Sequence, residues 1–316
     1  MKKIICLFFV LFLVSSLLIG CSEKQKENPS PASDFEYVEN ESGEITITKY
    51  TGSSFDVVIP SNIGGKNVTE LGDYSFSSNT NLTSVTIPDT VTRIGTLAFW
   101  NCTSLTTVDL SKNTKTIMSS FNGCTSLSEI SLPNSLKTIG VATFKECKSL
   151  KSIVIPKSVT SIGSESFMLS GVETIIFENG IMLESIPENA FAMTNIKTIS
   201  LPPSIRTIED QAMAGCAELT SITLNDGLVT IGHSAFSSNP KIEKIVIPAT
   251  VESVTEFAFS GCSSLQKVIF EGNAPSEYLI DYIFEPVNVE YTIYYYSDEQ
   301  GFTYPTWNGY KTEKIQ

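Results

Sequence analysis

The sequence has few charged residues and only one histidine, and both shortages limit the functions that the protein can have. Only 17% of the 316 residues are charged, and His233 is the single histidine. A Ser-His-Asp or Cys-His mechanism would therefore have to use His233. No Gly-rich phosphate loop and no Asp-x-Asp calcium loop occurs. The sequence predicts neither an enzyme nor a site for a cofactor or metal.

Basic residues are also scarce, and no run of Lys or Arg is present. The formal net charge is −13, which repels nucleic acid and anionic lipid headgroups. Acidic pairs such as Glu209-Asp210 fall on predicted turns, with nothing to suggest a shared catalytic pocket. A cationic or neutral partner is the simpler expectation, and a nucleic-acid partner is not expected.

The N-terminus has the composition of a sorting signal. Lys2 and Lys3 precede an apolar stretch, residues 4–19, which is shorter than the roughly 20 residues of a membrane span and fits a signal-peptide core. Leu18-Ile19-Gly20-Cys21 resembles a bacterial lipobox, which implies cleavage after Gly20 and lipidation of Cys21. The alternative is an uncleaved anchor with an incidental cysteine. The polar residues that follow have the composition of a flexible tether.

Internal repeats decide the predicted fold. A large apolar residue, Phe in every unit but one, recurs every 22 to 24 residues, and we call its position the aromatic slot. The residues are Phe76, Phe99, Phe121, Phe144, Phe167, Phe191, Met213, Phe236 and Phe259. Three residues later most units carry Asn or Cys: Asn79, Cys102, Cys124, Cys147, Cys216, Asn239 and Cys262. One unit of this length cannot bury its own apolar face, but stacked units can.

Each unit contains two short apolar runs that predict strands. In the first, such as Val85-Thr86-Ile87-Pro88, alternation gives one inward face, and Pro ends the strand because it cannot donate to a ladder. The second, such as Val91-Thr92-Arg93-Ile94-Gly95, ends in Gly, which would permit a turn. Nine such units predict a stack of short parallel strands.

The units follow the pattern Leu-x-x-Val-x-Ile-Pro-x-x-Val-x-x-Ile-Gly-x-x-Ala-Phe-x-x-Cys over roughly residues 55–270, and this pattern resembles the BspA-type leucine-rich repeat. The resemblance implies a β-rich, right-handed repeat solenoid of about nine 22–24-residue repeats, with short parallel strands and a cap at each end. Coils near Ser170 and Thr194 lose the Cys and one residue. Other residues displace the usual Gly, and local irregularity is expected there: Met118, Pro187, Glu209 and Thr255.

The predicted organisation has five parts. These are a lipoprotein signal peptide (1–20), a lipidated polar tether (21–34), an N-terminal cap (35–70), the leucine-rich repeat solenoid (71–270) and an aromatic-rich C-terminal cap (271–316). Residues 35–58 are expected to form a hairpin with its turn at residues 40–43. The C-terminal aromatic residues are expected to cover the open core of the last coil, with sugar stacking or protein docking as the alternative: Tyr291, Tyr294, Tyr295, Tyr296, Phe302, Tyr304, Trp307 and Tyr310.

Five of the seven cysteines lie in the repeat and share one position with Asn79 and Asn239. A small side chain facing the loop backbone explains both residue types, so buried free thiols are expected. An odd number of cysteines argues against complete pairing, and the alternative is a bond between neighbouring coils. His233 occupies a variable turn position, filled in other units by residues such as Thr96 and Val141, so a solvent-facing side chain is expected.

The outward positions of the first strand form the candidate partner-binding surface, together with one tryptophan expected to be exposed. The alternative interpretation is a merely solvated β surface. The candidate residues are Ser84, Thr86, Trp100, Thr107, Asp109, Glu129, Ser131, Ser152, Val154, Thr198, Ser200, Ser221, Thr223, Lys244 and Val246.

The resemblance implies a lipid-anchored protein of the cell surface or outer membrane that binds proteins, including host matrix proteins such as fibronectin and fibrinogen, or other cells. One alternative is a structural lipoprotein facing the periplasm. Another, an enzyme acting on envelope sugars or peptides, lacks an identifiable site. The sequence does not identify the partner or the oligomeric state.

Overall fold

The computed structural model describes residues 28–274, 283–284, 291–296 and 298–315. The predicted signal peptide, Cys21, the first part of the predicted tether and part of the predicted C-terminal cap lie outside these residues. Within them the chain is a β-solenoid of about 11 turns with parallel strands and a short 3-10 helix, Ala32–Asp34. No helix in the described residues is long and apolar enough to span a membrane.

The first five strands form the N-terminal end: β1 Phe35–Glu39, β2 Ile45–Tyr50, β3 Asp56–Val58, β4 Asn62–Ile63 and β5 Lys66–Leu71. Strands β1 and β2 pair in antiparallel fashion, which confirms the predicted hairpin over residues 35–50, whereas β3 pairs in parallel with a strand of the next coil instead. The side-chain Oδ1 of Asn40 accepts the backbone N–H groups of Ser42 and Glu44, both at 3.0 Å, and Gly43 has φ +78°. These features fix the turn.

The predicted tether meets the solenoid before its predicted end. The backbone N–H of Ser30 donates to the carbonyl of Val58 at 2.8 Å. In return, the backbone N–H of Val58 donates to Ser30 Oγ at 3.2 Å. Residues from Ser30 onward are therefore attached to the outer edge of β3.

The repeats alternate a first strand of two to four residues with a second strand of two. In chain order these strands are β6 Ser84–Thr86, β7 Arg93–Ile94, β8 Thr107–Asp109, β9 Thr116–Ile117, β10 Glu129–Ile130, β11 Thr138–Ile139, β12 Ser152–Ile155, β13 Ser161–Ile162, β14 Thr174–Phe177, β15 Ser185–Ile186, β16 Thr198–Ser200, β17 Thr207–Ile208, β18 Ser221–Thr223, β19 Thr230–Ile231, β20 Lys244–Ile247, β21 Ser253–Val254 and β22 Lys267–Phe270.

Like strands stack into two parallel ladders, as predicted. The ladder of first strands runs β3-β6-β8-β10, β12-β14, β16-β18 and β20-β22, with a break between each group. The ladder of second strands runs β2-β5-β7, β9-β11-β13 and β15-β17-β19-β21. Because β2 joins at the N-terminal end, and a further strand joins after β22, the solenoid has more turns than the nine predicted from the aromatic slot.

The core is a column of stacked rings in the aromatic slot. Phe99 and Phe121 lie 5.5 Å apart between ring centroids, and Phe121 and Phe144 lie 5.7 Å apart, each pair with an interplanar angle of 7°. Tyr50 extends the column at the N-terminal end, 5.3 Å from Phe76. Each fully buried ring contributes roughly 1.5–3 kcal/mol, so the column is a main source of stability.

The turn segments, which join each second strand to the next first strand, are held by a third set of bonds between coils. The N–H groups of Leu97, Phe99 and Asn101 all donate to carbonyls of the following coil, at 3.3, 2.9 and 2.8 Å. Leu97 and Asn101 are left-handed, with φ of 58° and 56°. Alternation of left- and right-handed residues points every second N–H along the solenoid axis.

The Gly that ends the second strand has a different role from the one predicted. It is not left-handed, because the left-handed residues lie two positions further on. A Cβ added to Gly95 would lie 2.5 Å from the backbone N of Asp73, and one added to Gly163 would lie 2.4 Å from that of Val141. These glycines permit close stacking. At Glu209 and Thr255, which replace this Gly, the ladder β15-β17-β19-β21 continues without the irregularity expected there. At Met118 and Pro187 the expected irregularity is present, because β9 does not pair with β7 and β15 does not pair with β13.

The C-terminal end extends the first-strand ladder with β23 Thr292–Tyr296, β24 Thr306–Trp307 and β25 Tyr310–Ile315. Phe284 stacks 5.7 Å beyond Phe259, and Tyr291 and Tyr310 contact Phe284 at 4.8 and 5.6 Å. Trp307 is also buried. Tyr291 and Tyr310 cover the end of the ring column, whereas Trp307 packs against Phe270 and Tyr304 is 66% exposed.

Candidate functional site

The outward positions of the first strands form an exposed face, which we call the strand face. Pro or a turn ends each first strand. Within the strand, successive side chains point to opposite faces, so the residues that alternate with the buried ones point outward. Eleven of the candidate residues are exposed: Trp100, Asp109, Glu129, Ser131, Ser152, Val154, Thr198, Ser200, Ser221, Thr223 and Lys244. The other four are half-buried: Ser84, Thr86, Thr107 and Val246.

Strand register brings these residues together in short columns. Ser84 is paired with Thr107, which in turn is paired with Glu129. Further along, Thr198 lies beside Ser221. The breaks between β10 and β12, β14 and β16, and β18 and β20 divide the strand face into four patches. The predicted surface is therefore segmented and not one continuous sheet.

Trp100 does not belong to the strand face. It lies in a turn segment, where its carbonyl accepts the N–H of Ser78 at 2.7 Å, and its side chain is 41% exposed. The exposure expected from the sequence is confirmed. The structure separates this residue from the other candidates, so one flat partner on the strand face would not contact it.

One charge relay links three neighbouring coils, at the residues just before their first strands. Glu173 accepts from Lys197 at 2.6 Å and lies 3.3 Å from Lys151 on the other side. Hydrogen bonds from Lys197 and then Lys151 hold the pKa of the Glu173 carboxyl below its usual value. The same contact raises the pKa of Lys197. Lys151 and Lys197 are exposed and Glu173 is half-buried, so the relay orders the surface more than it stabilises the fold.

Two further contacts shape the ends of the strand face. At the first coil, Asp56 accepts hydrogen bonds from Ser84 Oγ at 2.6 Å and Thr83 Oγ1 at 2.7 Å, which lower the pKa of Asp56. At the last coils, Lys267 Nζ lies 4.1 Å from the ring centroid of Tyr294, a cation–π contact. The face therefore differs in charge from one end to the other.

The five repeat cysteines are buried with free thiols, as predicted. Each thiol faces the carbonyl of the aromatic-slot residue in the preceding coil, as Cys124 Sγ does for Phe99 O at 3.1 Å. Asn239 makes the equivalent bond through Nδ2 to Met213 O at 3.0 Å. Burial raises the pKa of Cys102 to about 12. A thiol held neutral in this way is a poor nucleophile and metal ligand.

His233 lies in the turn position predicted for it, and its side chain is half-buried. Its backbone N–H donates to Asp210 Oδ1 at 2.8 Å, and its ring meets Phe257 edge to face at 5.6 Å. Within the described residues the imidazole forms no hydrogen bond to a nucleophile or carboxylate. The described residues also contain no group of three or more His, Cys, Asp or Glu placed to hold a metal ion.

One part of the strand face is not among the residues predicted from the sequence. Thr174 and Ile176 occupy the same columns as the predicted residues Ser152 and Val154. Ile176 is 51% exposed and lines an open groove of about 610 Å³ with Phe177. The signal was present in the sequence, because Phe177-Glu178 stands where other units have Ile-Pro or Leu-Pro.

Comparison with known proteins identifies the repeat. The sequence matches the BspA type leucine rich repeat region, in six copies, over residues 56–182 and 184–299. A crystal structure of a leucine-rich repeat protein from Bacteroides ovatus is 26% identical, with a TM-score of 0.73, covering 85% of this chain and 71% of that one. No curated protein matches the sequence.

Two other bacterial structures share the fold. A leucine-rich repeat protein of T. pallidum is 29% identical with a TM-score of 0.50, covering 75% of this chain and 91% of that one. A leucine rich cell surface protein from Faecalibacterium prausnitzii is 21% identical with a TM-score of 0.50, covering 78% of this chain and 89% of that one.

Proposed function

Because this chain belongs to the BspA-type leucine-rich repeat family, we propose that it is a surface-anchored adhesion lipoprotein that presents its strand face to macromolecular partners. Leucine-rich repeat solenoids are in general binding scaffolds and not enzymes. The observation that carries the proposal is the exposed strand face, where outward residues are held in register by ladders on a preformed backbone. A preformed surface binds without the entropic cost of ordering a loop.

The lipid anchor at Cys21 is the second element of the proposal. It is supported by the lipobox-like residues 18–21 and by the polar residues that follow them. The partners proposed are proteins, including extracellular matrix or cell-surface proteins, and the membrane is contacted through the lipid. A single acyl chain gives only marginal membrane binding, whereas the several chains of a lipoprotein anchor stably.

Localisation is tested by proteinase K treatment of intact cells, followed by blotting for the mature chain. A soluble periplasmic protein reports leakage. Digestion of the chain while the control survives supports an outward-facing adhesin. Protection until the envelope is opened contradicts it and favours a periplasm-facing scaffold. A Cys21→Ser variant should move from the detergent phase to the aqueous phase if Cys21 carries the lipid.

Binding is tested with the purified chain on immobilised fibronectin and fibrinogen. The variant Thr198→Arg places a bulky cation on the strand face, next to Ser221, and should weaken binding. Ser263→Arg, at an exposed turn position, is the matched control and should bind like the wild type. If the chain binds neither fibronectin nor fibrinogen, a role in host attachment is contradicted.

A further inference from the structure

One coil contains two extra residues between its first and second strands. Ile175 and Ile186 are 11 positions apart, whereas the equivalent Ile199 and Ile208 are nine apart. Ile175 remains in register with Ile153 of the preceding coil, and Ile186 remains in register with Ile208. Both strands of the coil therefore keep their places, and residues 178–184 project outward as a ridge.

The ridge is fixed by hydrogen bonds. The N–H of Glu178 donates to Ile155 O at 3.0 Å, and that of Ile181 donates to Glu178 O at 3.2 Å. Ser204 Oγ then donates to Ile181 O at 3.2 Å. Within the ridge, the side chains of Ile181 and Leu183 are buried. The ridge is thus a preformed element that needs little ordering on binding.

The ridge lies where both ladders are broken, and it has a groove on each side. On the side of the following coil, β14 and β16 do not pair with each other. The groove there, of about 610 Å³, is lined by several residues, among them Ile176, Phe177, Met182, Pro202 and Pro203. On the side of the preceding coil, where β13 and β15 are unpaired, a second groove of about 460 Å³ runs along residues 160–162 and 182–185. Met182 lines both grooves and is 67% exposed.

The first groove is apolar at a column position that is polar in several other coils. Ile176 occupies the column position held by Asp109 and Ser200 in other coils, and Val154 beside it is 47% exposed. Exposed apolar side chains grouped around a concave surface are typical of binding sites. The volume lies within the range of pockets that accept one large side chain or a small ligand.

The charged residues that line the two grooves are both acidic. Glu178 lines the first groove and Glu184 lines the second, and neither groove is lined by Lys or Arg. Glu178 Oε2 accepts a backbone N–H, that of Lys157, at 2.9 Å, so this contact leaves its negative charge in place. The whole chain carries −13. Charge complementarity therefore favours a cationic partner and disfavours nucleic acid and anionic lipid.

We propose that the ridge and its grooves bind an extended peptide segment of a partner protein. A large apolar side chain would enter the groove beside Ile176 and Phe177, and a Lys or Arg side chain next to it in the segment would lie near Glu178 or Glu184. This assignment deepens the proposed binding function and rests on it. It names the part of the surface and the chemistry of the segment that the surface accepts.

The test is selection of a random 12-residue peptide library, displayed on phage, against the full chain. Selected peptides should combine a large apolar residue with Lys or Arg within a few positions. Met182→Asp should lower the affinity of a selected synthetic peptide by roughly tenfold or more, the effect of losing a central contact. Met193→Asp is the matched control, since Met193 is also exposed, at 54%, but lies in a turn segment.

Two carboxylate variants test the charge separately. Glu178→Gln keeps an acceptor for the N–H of Lys157 and removes only the charge. At least one of the two variants, Glu178→Gln or Glu184→Gln, should reduce the affinity for the selected peptide and also the dependence of that affinity on salt. Thermal unfolding of each variant establishes that it is folded, which is expected because Met182 and Glu184 are exposed.

The proposal is overturned if no peptide is selected, if the selected peptides are acidic or lack large apolar residues, or if Met182→Asp and Met193→Asp bind alike. These outcomes differ from failure of the proposed function. Binding of the chain to fibronectin or fibrinogen that Met182→Asp leaves unchanged would retain the function and reject the groove. Peptide binding at the groove without binding to either matrix protein would retain the groove and reject those partners.

Discussion

The residue before each aromatic slot shows how one hydroxyl changes a coil. Most coils have Ala here, such as Ala98 and Ala212, and the position is fully buried. Ser120 Oγ is satisfied in this position by the carbonyl of Gly95 at 3.3 Å and the N–H of Met118 at 3.1 Å. Ser166 Oγ has no hydrogen-bond partner in the described part of the chain.

Ser166→Ala should therefore stabilise the protein by about 1 kcal/mol, because it removes a buried hydroxyl that lacks a partner. Ser120→Ala should destabilise it by a similar amount, since it deletes hydrogen bonds in an identical setting. Urea unfolding of the two variants measures both changes. Equal effects of the two substitutions would contradict this interpretation.

The buried thiols link stability to alkaline pH. Burial raises the pKa of Cys102, and likewise that of Cys262, to about 12, from an ordinary value of 9.0. In the unfolded chain the thiol ionises first, so the stabilisation is complete below pH 9 and is lost as the pH rises from 9 towards 12. Each such thiol lowers the free energy of unfolding by up to about 1.4 kcal/mol per pH unit in that window.

We expect the chain to unfold more easily above pH 9, and Cys102→Ser to have a shallower pH dependence than the wild type. Urea unfolding between pH 8 and 10.5 measures the slope. A thiol reagent added at pH 8 should modify these cysteines only after denaturation. Rapid labelling of the folded chain would show that the thiols are not held neutral.

At the scale of the element, the regular coils could be predicted because their spacing is constant. Alternating apolar residues set the strands, and Phe at a fixed interval sets the stack. The cysteine position was predicted correctly because Asn239 shares it and makes the same bond to a carbonyl. The constraint on Gly95 could not be found, since close approach of Asp73 depends on how the coils stack.

The ridge escaped prediction because two length changes nearly cancel. The coil from Phe167 to Phe191 is 24 residues long, only one more than usual. It lacks one residue near Ser170 and gains two after Phe177. At the shortened turn Gly171 is required, because a Cβ there would lie 1.9 Å from Lys148 O. The aromatic spacing alone therefore hid the groove and the exposed Ile176.

Deletion of Gly180 and Ile181 should remove the ridge without unfolding the chain. The remaining Phe177-Glu178-Asn179-Met182-Leu183 has the length and pattern of residues 132–136 in a regular coil. The free energy of unfolding of this variant, measured by urea unfolding, should therefore stay close to that of the wild type. The matched control is deletion of Asp226 and Gly227 from a regular coil, which should destabilise the protein. Equal destabilisation by the two deletions would contradict this account.

At the scale of the whole molecule, the ring column couples the stability of each coil to that of its neighbours. Each repeat contacts only its neighbours, so damage to one coil is felt most by the two beside it. Phe144 is fully buried between Phe121 and Phe167, at 5.7 and 5.3 Å between centroids.

Phe144→Ala should lower the free energy of unfolding by about 3–5 kcal/mol. Hydrogen exchange should accelerate most in the coils that contain Phe121 and Phe167 and least at the two ends. Val141→Ala in the same coil is the control, because Val141 is 48% exposed and surface substitutions change stability by about 0.5 kcal/mol or less. Uniform acceleration along the chain would indicate one fully cooperative unit instead.

The turn segments give the solenoid, a rod of stacked coils, an electrical polarity along its axis. In coil after coil, the peptide units before Leu97, Phe99 and Asn101 and their equivalents point the N–H towards the C-terminal end and the carbonyl towards the N-terminal end. Their dipoles add along the axis, as those of a helix do. One side of the solenoid is thus partly positive at its C-terminal end and partly negative at its N-terminal end. On this side, two rods meeting end to end would attract each other head to tail and repel each other head to head.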